Sequence, residues 1–459
     1  MYRPTFSHFK HAQSFVRSQV QRITQSPVVS NFCIYSLGAF VLRGTSVILA
    51  PITLHILSPH EYGIIALINS FASIATLVAG FGLRQVFSIE FYHHTSNSRR
   101  TLVNDIVIIY CVLATPLLAL ALVNCTTINH VLFLGSVPNT LIGITLVYCF
   151  LFFFVELFYQ ALRYQQKAFS LVLTQTGTAF GIIVLNVIFL WKLHWGVYSM
   201  IVSYLIGYTL VTLWGIRAYL RAGCAAHIDV RASLRKLTYY VRLGLPFIPS
   251  VLFSWILSSS DRWMLARMTS LHDVGLYALA DAFGQLYQML ILYPLSSAYL
   301  PHLMQQFGRN KHNLFIVEQR NRTVTYWGMV IVACCITIGY FIGKPLVYWL
   351  LPAKYHAALH YVWFILMGYV FLTGTYCLSA LIQFHKRTLF LAYALFIPAL
   401  MNVVLNFLLI PRWHILGCVL ATLIAQITYF CIVWWYSTRL ITQLAAVCDK
   451  TAQDPVHTL

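Results

Sequence analysis

Ser58-Pro59-His60-Glu61-Tyr62-Gly63-Ile64-Ile65-Ala66-Leu67 returns 212 positions later as Ser270-Leu271-His272-Asp273-Val274-Gly275-Leu276-Tyr277-Ala278-Leu279. Phe71 and Phe283 keep the same offset. A second echo pairs Leu185-Asn186 and His194 with Leu405-Asn406 and His414, at an offset of 220. Two echoes at nearly one offset divide the chain into two similar halves. Working outward from them, apolar runs of about 20 residues, the length that crosses a bilayer as helix, occur at 31–54, 62–83, 103–123, 139–160, 169–190, 197–218, 244–265, 274–299, 325–343, 360–383, 389–410 and 415–437. An even number of runs separates the echoes, so the halves form a parallel repeat.

Composition agrees. Of 459 residues, 59% are apolar and 9% charged, with a mean hydropathy of +0.75. An average soluble domain carries about 25% charged residues. Too few charges remain here to solvate the outside of a water-soluble fold, so a soluble enzyme and a disordered chain are excluded. Outer-membrane barrels alternate apolar and polar residues and lack long apolar runs. The expected fold is all-α: a polytopic membrane protein of twelve transmembrane helices in two six-helix bundles.

The net charge is +19, from 30 Lys and Arg against 11 Asp and Glu. With the N-terminus in the cytoplasm, 23 basic residues fall inside and 6 outside, while Arg43 lies within a span. Positive charge collects on the cytoplasmic side of membrane proteins, so topology explains the excess without nucleic acid. The expected organisation is a basic cytoplasmic segment at 1–29, a first bundle at 30–218, a cytoplasmic linker at 219–243, a second bundle at 244–437 and a cytoplasmic tail at 438–459. Residues 1–29 show no cleavable signal peptide. They read as an interfacial helix through Phe6, Phe9, Val16, Val20 and Ile23, or as a basic tail. The 11 cysteines form no CxxC pair, and no disulfide framework or zinc site is indicated.

Polar residues recur at helical spacing in the first two spans of each half. These are Ser36, Arg43 and Ser46; Asn69, Ser73, Thr76 and Arg84; Ser250, Ser254, Ser258 and Asp261; and Tyr277, Asp281, Gln285 and Gln288. Facing one another, these stripes would line a polar cavity between the halves; the alternative is close packing by small residues. Packing does not explain the charged members. Arg43 lies about 16 Å into its span at 1.5 Å per residue, where an arginine costs about 2.5–3.5 kcal/mol on insertion scales. Arg43, Arg84, Asp281, Gln285, Asn69, Ser254 and Ser258 form the candidate substrate-binding set. Asp281 is a candidate partner for Arg43, a cation or a proton. Glu156, out of register with Arg163 on its own helix, requires a partner on another helix. Glu156, Asp261 and Arg262 form the candidate gating or ion-coupling set. No catalytic residue, metal site or cofactor is expected: His356 and His360 lack a third ligand, and there is no Walker A sequence. Pro51, Pro246, Pro249 and Pro294 mark kinks or hinges.

Three segments resemble one family. They are Leu57-Ser58-Pro59-His60-Glu61-Tyr62-Gly63; then Gly244-Leu245-Pro246 with Ser258-Ser259-Ser260-Asp261-Arg262; then Asn402, Asn406, Leu409-Ile410-Pro411, Gly417 and Ala421-Thr422. The ordered set, over about 30–440, is similar to the polysaccharide and O-antigen flippases of the multidrug/oligosaccharidyl-lipid/polysaccharide exporter superfamily. The resemblance implies a central cavity lined by spans 1, 2, 7 and 8. It implies flipping of a polyprenyl-pyrophosphate-linked oligosaccharide across the bacterial inner membrane by alternating access, for cell-surface polysaccharide such as the O-antigen of lipopolysaccharide. The implied partners are that lipid-linked substrate, the bilayer and other membrane proteins of polysaccharide assembly. The absence of a fourteen-span pattern sets the chain apart from the lipid II flippase branch. Two other functions compete: a cation-coupled drug or metabolite antiporter of the same fold, and a membrane glycosyltransferase or polymerase. The last needs catalytic groups in large outer loops, and these outer loops are short. A flippase calls for a cationic cavity and an antiporter for one dominated by carboxylates.

Overall fold

Ser58 and Ser270 start helices, and they do so by capping. In the computed structural model, the Ser58 hydroxyl accepts the Glu61 backbone N–H at 3.2 Å while Glu61 Oε2 accepts the Ser58 N–H at 2.8 Å. This is a complete capping box, with Pro59 pre-set for the first turn. Ser270 accepts the Asp273 N–H at 3.2 Å in the same way. The structure describes residues 51–94, 98–165, 167–221, 228–309 and 314–453. Arg43, most of the first apolar run, the 1–29 segment and the end of the tail lie outside the described residues.

Sixteen helices are labelled here in chain order. In the N-terminal half they are α1 (Pro59–Gly80), α2 (Leu83–His93), α3 (Ser98–Val123), α4 (Cys125–Phe133), α5 (Asn139–Tyr164), α6 (Ala168–Val187) and α7 (Tyr198–Arg221). The linker holds α8 (Val230–Arg235) and α9 (Leu237–Gly244). The C-terminal half holds α10 (Phe247–Met268), α11 (Leu271–Tyr287), α12 (Tyr293–Arg309), α13 (Leu314–Leu350), α14 (Leu359–Phe384), α15 (Thr388–Ala394) and α16 (Phe396–Gln453). Every apolar run from the second to the twelfth falls on helix. The chain is a multi-span helical membrane protein: among the described residues, eight helices are long and apolar enough to cross a bilayer, or nine if α9 and α10, bent by 40°, form one span.

Three details differ from the run boundaries. The ninth run is only the middle of α13, whose 37 residues reach about 55 Å at 1.5 Å per residue. This exceeds a hydrocarbon core of about 30 Å, so its start, with Glu318 and Arg322, projects at the linker end. Run eleven begins on α15 and continues on α16, which also carries run twelve and breaks at His414 (φ 49°, ψ −125°) just after Pro411. The eighth run passes through α11, a wide turn at Gln288–Leu292 and α12.

The halves share a core at the end bearing Glu61 and Asp273, here the far end. Ile68, Phe71, Phe133 and Leu141 pack with Leu265, Val274, Leu279 and Tyr355. Each half also has its own core at the linker end: Phe87, Ile106 and Tyr110 in the first, Leu303, Phe307 and Leu440 in the second. A buried carboxylate organises each. Asp105 accepts Ser233 Oγ at 2.6 Å and Lys236 Nζ at 2.7 Å. Glu318, 213 positions later, accepts Ser437 Oγ at 3.0 Å and Arg322 Nε at 3.3 Å. The N-terminal half thus fills with the linker a place that the C-terminal half fills with its own last helix.

Candidate functional site

The string Ser258 to Arg262 lies on α10, where successive residues turn by about 100°. Asp261 and Arg262, adjacent in sequence, therefore meet different neighbours. Asp261 points into the C-terminal bundle and is 1% exposed. Its Oδ2 accepts Tyr277 OH and Thr422 Oγ1, both at 2.7 Å, and its Oδ1 accepts Asn406 Nδ2 at 3.0 Å. Asn406 Nδ2 also donates to Asn402 Oδ1 at 3.1 Å, and Asn402 Nδ2 to Thr422 Oγ1 at 3.2 Å. Asn406 Oδ1 is buried and accepts no hydrogen bond. The result is a buried carboxylate ringed by neutral donors, with an amide oxygen left over beside it.

Arg262 turns to α11. Its Nη2 donates to Asp281 Oδ2 at 2.6 Å, both side chains being mostly buried. Gln285 Nε2 donates to the same oxygen at 3.1 Å and Tyr369 OH to the other at 3.4 Å. Asp281 thus takes its arginine from the neighbouring helix. Arg84 faces Glu156 of α5 at 3.7 Å, both partly exposed.

A cavity of about 310 Å³ opens beside Asp261. Ser254 and Ser258 line it from α10, Asp281 from α11, Gln288 from the turn after α11, and Gln383 and Gln426 from α14 and α16. It lies within the C-terminal half. The expected cavity between the halves has span 1 among its walls and so falls partly outside the described residues; on the described part of the α1 stripe, Ser73 meets an indole and remains exposed. Trp255 Nε1 donates to Ser73 Oγ at 2.8 Å and Trp263 Nε1 to Ser70 Oγ at 2.8 Å. Asn69 is half-buried on α1, away from that cavity. Gln285 instead edges a second cavity of about 460 Å³, whose walls, including Leu54, Phe283, Leu286 and Leu350, are mainly apolar. Gln288 borders both.

At the far end the halves meet through the repeat itself. A Cβ on Gly63 would overlap the Leu271 carbonyl, and one on Gly275 would overlap the Pro59 carbonyl. The pairs are related by the 212-residue offset, so α1 and α11 cross about an approximate two-fold axis. Arg267 Nη2 donating to Val131 O at 2.6 Å, and Tyr355 OH to Leu57 O at 3.2 Å, add ties across the same end.

The structure therefore groups Asp261, Asp281, Ser254 and Ser258 around one cavity, with Arg262 paired to Asp281. It separates Arg84 and Glu156 as a pair of their own. Sequence reasoning had no role for Tyr277's hydroxyl, Asn402, Asn406 or Thr422 at Asp261; the i,i+4 spacing of the two asparagines was the available signal. The glycines were visible in the repeat, but their crossing was not.

The family model described as Polysaccharide biosynthesis protein matches residues 28–307, and that described as MatE matches residues 246–408. Among curated proteins, none matches this sequence. Among solved structures, the lipid II flippase MurJ in an inward closed conformation has a similar fold, with a TM-score of 0.70 and 15% identity over 89% of this chain and 87% of that one. An inward-facing multidrug resistance MATE family transporter of the MOP superfamily gives 0.66 and 14%, over 92% and 99%. A MOP superfamily transporter from Pyrococcus furiosus gives 0.56 and 14%, over 93% and 98%. At these identities the likeness concerns the fold.

Proposed function

This chain belongs to the polysaccharide biosynthesis protein family, and from that premise we propose that it flips a polyprenyl-pyrophosphate-linked oligosaccharide from the cytoplasmic to the outer face of a bacterial inner membrane. In this reading the termini and linker are cytoplasmic, and the far end of the bundles faces outward. One observation carries the reading: the family model described as Polysaccharide biosynthesis protein matches residues 28–307. Among the described residues, the cavity beside Asp261 is lined by Asp261 and Asp281 and by no basic side chain, so the cationic contact that this reading requires falls to Arg43. The inside-negative potential favours outward movement of each negative charge by about 2.3 kcal/mol per 100 mV. Arg43 is the proposed phosphate contact, through bidentate geometry that lysine lacks. Removing the protein should make the lipid-linked oligosaccharide accumulate on the cytoplasmic leaflet. Normal export of the sugar without it ends the proposal. Arg43→Ala should give the same accumulation, and Arg43→Lys a partial one.

A second reading, a cation-coupled antiporter, has one observation in its favour. Asp261 is buried without a cationic partner. A charge so placed requires neutralisation, and Asn406 Oδ1 beside it offers a further ligand. We propose that Asp261 takes a proton or a monovalent cation that couples transport. In proteoliposomes, an imposed sodium or proton gradient should speed wild-type transport several-fold and leave Asp261→Asn unmoved. An Asp261→Asn protein that still responds removes the coupling role. The transported molecule, lipid-linked sugar or soluble cation, decides between the readings.

A further inference from the structure

The linker between the halves has two faces, and only one is covered. Ser233, Leu237, Tyr240 and Gly244 recur at helical spacing and pack against the N-terminal half, within its linker-end core and on Asp105. Lys236 bonds Asp105, and Tyr239 OH donates to Glu90 Oε1 at 2.7 Å. These contacts fix the rotation of α8 and α9. The opposite side presents Arg231, Leu234 and Arg235, then Arg242 and Leu245, while the Tyr239 ring, bonded to Glu90 through its hydroxyl, stays exposed at the edge between the two faces. Leu234 is 39% exposed, Tyr239 56% and Leu245 56%. Among the described residues, no carboxylate pairs with the three arginines.

Guanidinium groups interleaved with bulky apolar side chains suit neither bulk water nor the hydrocarbon core. They suit the headgroup layer, where apolar side chains dip toward the acyl boundary and the cations meet phosphates. The chain places the linker at an end of the spans: α7 ends at Arg221 and α10 begins at Phe247, with the short helices α8 and α9 described between them.

We propose that this face is a docking surface for anionic phospholipid headgroups, which seat the linker on the leaflet and, through Asp105 and Glu90, brace the N-terminal half. The occupant follows from charge complementarity and from the apolar side chains beside the arginines, for which a soluble anion has no use. The proposal rests on the orientation given above only for which leaflet is met. Lipid selectivity in detergent depends on neither orientation nor substrate, so its failure is distinct from failure of the flippase reading.

The test titrates dioleoyl phosphatidylglycerol or dioleoyl phosphatidylcholine onto the purified full-length protein and counts bound lipid by native mass spectrometry. The wild type should prefer the anionic lipid about ten-fold or more, and Arg231→Gln/Arg235→Gln/Arg242→Gln should bring the two near parity. The same three positions as lysine should keep most of the preference. The control Lys344→Gln/Lys354→Gln/Arg412→Gln should leave it intact. A glutamine triple that retains the preference overturns the proposal. Loss of the preference in millimolar glycerol phosphate also overturns it, because it would reveal a site for a soluble anion.

Discussion

Leucine at Gly63 should stop transport while the protein remains folded in the membrane, and leucine at Gly275 should do the same. The reason is the crossing of α1 and α11. Each glycine faces a backbone carbonyl of the other helix, Leu271 for Gly63 and Pro59 for Gly275. Backbone cannot swing aside as a side-chain tip can. Both first turns are also pinned, by the Ser58–Glu61 box and the Ser270 cap. A larger residue therefore parts the helices instead of being absorbed. Small residues at such crossings let membrane helices approach, and dispersion contacts then hold them. Losing this approach loses the far-end seal and leaves most of each half intact, so abundance should change little. We expect at least a ten-fold fall in flipping for either leucine variant, with alanine intermediate. The conformational part is read separately, with a single cysteine at Ser259, which is buried and whose carbonyl accepts Ser70 Oγ. In a background without other cysteines it should resist a thiol reagent added from the far side, and Gly63→Leu should make it react. If Gly63→Leu transports at the wild-type rate, the crossing is not a gate.

That crossing shows where sequence reading reaches its limit. The repeat placed Gly63 and Gly275 at equivalent positions, and the apolar runs placed both on spans. Period and hydropathy report which residues share a face, but not which helix the face meets. Hence the stripe on α1 was legible as polar, while the Trp255 indole that donates to its Ser73 was not. Asp261 and Arg262, neighbours in sequence, entered one candidate set; helical geometry turns them apart. Asp105 drew no reading from the sequence, and its partners lie well over a hundred residues away in the linker. Such long-range contacts leave no periodic trace. The positive-inside bias explained the linker's charge without revealing that one side is docked and the other bare.

Arg262 and Asp281 should prove energetically coupled and functionally distinct. Their contact at 2.6 Å is mostly buried. Removing one member of such a pair leaves a desolvated charge and costs about 3–5 kcal/mol, whereas removing both is often close to neutral. Arg262→Gln and Asp281→Asn should each lower the temperature at which the detergent-solubilised protein loses its monodisperse peak. The double variant should recover most of that loss. If the two losses simply add, the pair is not coupled. Function should not follow stability. Asp281 holds Arg262 away from Asp261, the buried acid one residue earlier on α10. With Asp281→Asn, the arginine loses that anchor, and the nearest uncompensated carboxylate is Asp261. An arginine there supplies the charge that a proton or cation otherwise brings, so Asp281→Asn should lose the response to an imposed ion gradient just as Asp261→Asn does. Arg262→Gln and the double variant leave Asp261 without that competitor and should keep the response. The same proteoliposome assay reads all four proteins. A gradient response that survives in Asp281→Asn would mean that Arg262 does not reach Asp261, and that the pair serves the architecture of α10 and α11 alone.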